Sequence, residues 1–96
     1  MRIARVVGSA VSTIKSGSLH GCKLLVVREA TPSDEPVGDP FVAVDAIGAG
    51  EGELVLVSEG SAGRFTDLTT DAPVDAVIMA ILDSLEVDGR TTFRKG

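Results

Sequence analysis

The chain has 96 residues, a formal net charge of -5, one cysteine, three phenylalanines and no tryptophan or tyrosine. That length predicts one domain, 1–96, with a small core of its own. The acidic balance excludes broad electrostatic binding to nucleic acid or to anionic lipid, and a lone Cys22 excludes an intrachain disulfide and fits a reduced cytosolic setting. Valine is the commonest residue, and β-branched side chains suit a pleated sheet better than a helix.

Residues 1–5 lack a long apolar core followed by a cleavage site, so they do not read as a secretory leader. No apolar run approaches membrane-spanning length, and the expectation is a soluble protein. Residues 3–14 are apolar-rich and read as a first strand, with Gly8 marking a bend or bulge. Residues 15–21, K-S-G-S-L-H-G, read as a loop, and 22–28 as a second strand. Residues 29–40 carry three prolines and four acids, which predicts an exposed and mobile loop. Asp34, Glu35 and Asp39 within it are read as solubilising rather than metal-binding.

Residues 41–46 and 53–58 read as the third and fourth strands, joined by a loop with three glycines in five positions. Both strands are apolar on both faces, and a chain this short has too little material to cover them. Some of the cover must come from another copy, so an oligomer is expected. Asp45 ends the third strand. A buried carboxylate there must accept hydrogen bonds, and amides of the 47–52 turn are the expected donors. Residues 59–71 are polar and turn-prone. Pro73 followed by Val74, Val77, Ile78 and Ile81 predicts one short helix. Alternation then returns over 80–87, and Asp88-Gly89 predicts a two-residue hairpin turn with 90–94 returning antiparallel. The sum is a mainly β, five-stranded, OB-like barrel with one short helix, whose strand order the sequence leaves open.

Reactive chemistry is sparse. His20 is the only histidine, and it lies in a Gly/Ser loop without the orienting group and oxyanion site that a nucleophile would need. One His and one Cys cannot close a tetrahedral zinc site. Gly48-Ala49-Gly50-Glu51-Gly52 fails as a dinucleotide loop, because Glu53 occupies the last glycine position and a strand follows where a helix is needed. The triple glycine serves either a tight turn or close approach of several backbones around an axis. The expectation is therefore no catalytic residue, no cofactor and no metal.

Several segments together carry a family resemblance: A-R-V-V-G at 4–8, S-T-I-K at 12–15, L-H-G-C-K-L-L-V-V at 19–27, V-A-V-D-A-I-G-A-G-E-G-E-L-V-L-V at 42–57, G-S-A-G-R at 60–64, P-V-D-A-V-I at 73–78 and I-L-D at 81–83. The chain resembles the bacterial microcompartment vertex proteins, the pentameric shell components of the EutN/CcmL type. The resemblance implies an OB-like barrel that assembles as a homopentamer and caps five-fold corners of a polyhedral shell in the bacterial cytoplasm. Hexameric and possibly trimeric shell proteins would be its neighbours. It implies a pore on the five-fold axis lined by Gly48, Ala49 and Gly50. The subunit interface is expected at Asp45, Glu53, Leu54, Val55, Leu56, Val57 and Arg64. Contact with hexamers is expected at Lys15, Ser16, Leu19 and His20. Leu54 departs from the family, where tryptophan is common, and the 29–40 loop is longer than in many members. The alternative is an OB-like module for nucleic acid or a small ligand, which the acidic charge and the scarcity of aromatics oppose. A small enzyme is a remoter third.

Overall fold

The structure is a computed structural model that describes residues 1–11, 23–59 and 76–95. Its described elements are all strands: β1 (Arg2–Ala10), β2 (Lys23–Glu29), β3 (Phe41–Asp45), β4 (Leu54–Glu59), β5 (Ala76–Ile81), β6 (Ser84–Val87) and β7 (Arg90–Arg94). The first five close a barrel in the order β1-β2-β3-β5-β4, and β6 and β7 form a separate two-stranded sheet. β1 pairs antiparallel with both β2 and β4, which closes the barrel. β3 and β5 pair in parallel through Val44↔Val77 and Asp45↔Ile78.

Side chains alternate across each strand, and the inward set forms the core. Ala4, Val6, Leu25, Val27, Ala43, Val55, Val57, Ala76 and Ile78 are buried together with Ala49 from the loop, and Phe41 and Ile81 pack against them. Small and β-branched residues fill this narrow interior, as a five-stranded barrel requires. On the outer face Leu54, Val44 and Val77 are buried as well. Two-sided burial gives β3, β4 and β5 their unbroken apolar sequences.

Gly8 marks a bulge, as its place in the strand suggests. The β1–β2 register slips between Val6 and Gly8, which leaves Val7 as the extra residue. Asp88 and Gly89 turn the β6–β7 hairpin with φ of 52° and 78°, the positive pair that a two-residue turn needs.

One expectation changes. Residues 76–81 form strand β5, not the end of a helix; residues 73–75, where the helix was to begin, lie outside the described residues. The spacing of Val77, Ile78 and Ile81 fits either period, and pairing with β4 and β3 decides for strand. The 29–40 loop is exposed over 32–33 and 35–40, as expected, but it carries internal bonds and Asp34 within it is engaged. Ala30 bridges Pro36. Val37 N donates to Glu29 O at 2.8 Å, and Thr31 N to Glu35 O at 2.8 Å. Asp34, read as solubilising, pairs with the Arg5 guanidinium of β1. At the barrel edge Arg2 donates to Glu59 of β4 and pairs with Glu29 of β2, with its guanidinium 5.4 Å from the Phe41 ring centroid.

Candidate functional site

The glycine loop, residues 46–53, is held at three points. At its start Asp45 is only 4% exposed. Its Oδ1 accepts from the amides of Ile47 and Gly48, both at 3.1 Å. This is the expected tie, and it satisfies backbone donors that the sharp turn takes out of the sheet. Lys23, the register partner of Asp45 across β2 and β3, completes it. Lys23 Nζ lies 3.6 Å from Asp45 Oδ2 and donates to Ala49 O at 3.0 Å.

At the middle, Ala49 has no exposed surface and belongs to the core cluster. Its methyl group plugs the loop into the barrel. Gly48 beside it has φ of 88°, a conformation that costs a side chain about 1–2 kcal/mol, and it is exposed together with Ile47.

At the end, Glu53 joins loop, barrel and C-terminal segment. Its Oε1 accepts from Gly50 N at 2.7 Å and its Oε2 from Lys95 Nζ at 2.8 Å. Gly52 N donates to Val6 O at 2.8 Å and Val6 N to Glu53 O at 2.9 Å, while Arg5 donates to Gly52 O. Lys95, and then the Gly50 amide, hold the Glu53 carboxyl below the ordinary carboxylate range. The same contact raises the pKa of Lys95. Asp45, Glu53, Lys23 and Arg5 each hold backbone of the loop, and Lys95 pairs with Glu53. Among the described residues no group of three His, Cys, Asp or Glu side chains could hold a metal ion.

The structure thus brings Asp45, Gly48, Ala49, Gly50 and Glu53 into one clamped loop. The Ala49 side chain belongs to the core of its own chain. Leu54, Val55 and Val57 are also buried within the chain itself; Leu56 is half-buried. Lys15, Ser16, Leu19, His20 and Arg64 lie outside the described residues. Lys23, Lys95 and Arg5, which hold the loop, were not singled out from sequence. Their signal is the strand register, which puts Lys23 opposite Asp45 and Arg5 opposite Leu54.

The profile of the family described as ethanolamine utilisation protein EutN/carboxysome matches residues 1–83. The chain is 42% identical to the carboxysome shell vertex protein CcmL of Synechococcus elongatus, over 99% of this chain and 96% of that one. The solved structure of CcmL from Gloeobacter violaceus superposes with a TM-score of 0.91 at 40% identity, covering 99% of this chain and 98% of that one. The pentameric microcompartment shell protein GrpN from Rhodospirillum rubrum superposes with a TM-score of 0.80 at 42% identity, covering 91% and 99%.

Proposed function

The chain belongs to the EutN/CcmL family, and from that premise we propose that it is a structural shell protein, a homopentamer that caps the five-fold vertices of a bacterial microcompartment. The observation that carries this is a near-complete superposition, at 40% identity or more, on CcmL and on the pentameric shell protein GrpN, both of which are named as shell vertex proteins among the curated relatives. A sheet of hexagonal tiles cannot curve into a closed polyhedron without pentagons at its corners. The whole chain, 1–96, acts as one vertex domain beside hexameric shell proteins in the bacterial cytoplasm. It closes a diffusion barrier and turns over no substrate.

Five copies of the clamped glycine loop converge on the axis, with Gly48 and Gly50 lining the opening. Ala49 anchors each copy from behind. Asp45 and Glu53 set the shape of the loop, and the neighbouring subunit meets Leu56 and Arg64. The segment with Lys15, Ser16, Leu19 and His20 faces the hexamers. A ring built from one repeated head-to-tail contact closes when the rotation per subunit divides a full turn, and small residues at the axis admit five backbones.

Size exclusion with light scattering tests the core of this reading. A discrete species of five times the 9.9 kDa chain is expected. A stable monomer at micromolar concentration rejects the vertex role. Co-expression with hexameric shell proteins should give closed particles only when this chain is present.

A further inference from the structure

Two surfaces exposed among the described residues complement each other. The first is the outer face of β1, β2 and β3. Val26 stands opposite Gly8 on one side and Val42 on the other, with the bulged Val7 beside them. Val42 is 50% exposed and Val7 40%, an apolar stripe across three neighbouring strands. At its end Arg28 stands directly opposite Arg5, a register in which like charges repel. Arg5 is neutralised by Asp34. The nearby acids Glu29 and Glu59 are taken by Arg2. Among the described residues no carboxylate pairs with Arg28 and its buried Nε has no hydrogen-bond partner, so the half-buried guanidinium is left with a charge that an arriving acid would satisfy. A cleft of about 290 Å³ opens there, lined by Arg5, Val7, Arg28, Ala30, Asp34 and Pro36.

The second surface is the β6–β7 hairpin, a two-stranded ribbon separate from the barrel sheet. Such a ribbon is marginal in water unless another surface covers it. Leu85 and Val87 share one face by the period of two, Leu85 pairs with Phe93, and Val87 is 42% exposed. Glu86 and Asp88 stand exposed at the tip. The ribbon therefore offers apolar residues and carboxylates where the barrel face offers an apolar stripe and an unpaired guanidinium N–H.

We propose that the β6–β7 hairpin of one subunit lies on the outer β1–β2–β3 face of the next, with Val87 on the Val7–Val26–Val42 stripe and a tip carboxylate accepting from Arg28. This rests on the pentameric reading above. The two surfaces differ, so the contact is head-to-tail, the kind that closes a ring. The neighbour supplies an acceptor that Arg28 lacks among the described residues.

The test is a cross-link in the full chain. Cys22→Ser removes the native thiol, and Val42→Cys with Val87→Cys places one thiol on each surface. Oxidation should give covalent species of up to five chains on a denaturing gel, reversed by reductant. Each single-cysteine control should stop at two chains. Single chains after oxidation, in a sample that light scattering shows to be pentameric, overturn the hairpin contact while leaving the pentamer intact. A monomeric wild-type protein rejects the pentamer itself. If the cysteine variant does not assemble, a charge exchange decides. Arg28→Glu should weaken assembly by about tenfold or more on dilution, and Glu86→Arg with Asp88→Arg in the same chain should recover it. Undiminished assembly of Arg28→Glu, or no recovery in the exchanged chain, overturns the proposal.

Discussion

At the scale of single residues, the glycine loop keeps its shape because Asp45 and Glu53 each place a carboxylate under its amides. Asp45 is buried, and its Oδ1 serves two donors at once. Asp45→Ala should lower stability by about 1–3 kcal/mol, since two amides lose their acceptor. Asp45→Asn retains one acceptor oxygen and should cost less. Denaturant midpoints at fixed protomer concentration check both, and equal losses in the two variants would count against the turn as the cause. Glu53 adds a pH signature. Its folded pKa is depressed, by Lys95 first and the Gly50 amide second. The stabilisation is therefore full above the unfolded carboxylate range and is lost as pH falls through the lower folded pKa. Lys95, raised by Glu53, contributes fully below the ordinary lysine range and loses its share as pH rises through the higher folded value. The gap in melting temperature between wild type and Glu53→Gln should be widest near neutrality and close toward both extremes. A gap independent of pH would mean that the Glu53–Lys95 contact is idle. The carboxylate of Asp45 and its task were legible in the sequence, because a charge ending an apolar strand before a turn has few alternatives. The cations were not, because Lys23 and Lys95 reach the loop only through register and chain return.

At the scale of elements, the strands that read clearly were those with a local punctuation mark: Gly8 in β1, the glycine loop between β3 and β4, and Asp88-Gly89 between β6 and β7. β5 misled because it is buried on both faces. Val77 is covered on the outside and Ile78 inside, so no alternation survives to reveal its period. Its strand state comes from non-local partners, β4 on one side and the C-terminal half of β3 on the other. The strand order was invisible for the same reason, since the closing β3–β5 pair is parallel and joins residues far apart in the chain. Ile78 lies inside the barrel with 1% exposure. Ile78→Val should cost about 0.5–1.5 kcal/mol and Ile78→Ala about 2–5 kcal/mol, because the surrounding barrel collapses only in part around a deleted side chain. A loss below 0.5 kcal/mol for the alanine variant, measured by denaturant unfolding at fixed protomer concentration, would place Ile78 outside the core.

At the scale of the whole molecule, a vertex protein needs two contacts that fail independently. One joins five copies into a ring, and the other seats the ring among its neighbours. The barrel offers material for the first in its exposed valines and its projecting hairpin. The second is expected in the polar 15–21 segment, which carries Lys15 and His20. Interface charges act mainly on encounter and register, so a reversed charge at the outer contact should cost little inside the ring. Lys15→Glu should accordingly keep the five-subunit mass and the melting temperature of the wild type. In co-expression with hexameric shell proteins the same variant should lower the yield of closed particles, because an added carboxylate at each of five equivalent positions multiplies one unfavourable contact around every corner. Electron microscopy of the purified particles, together with light scattering of the isolated ring, separates the two contacts. A normal yield of closed shells would remove the 15–21 segment from the outer contact. A ring that falls apart would move it into the inner one.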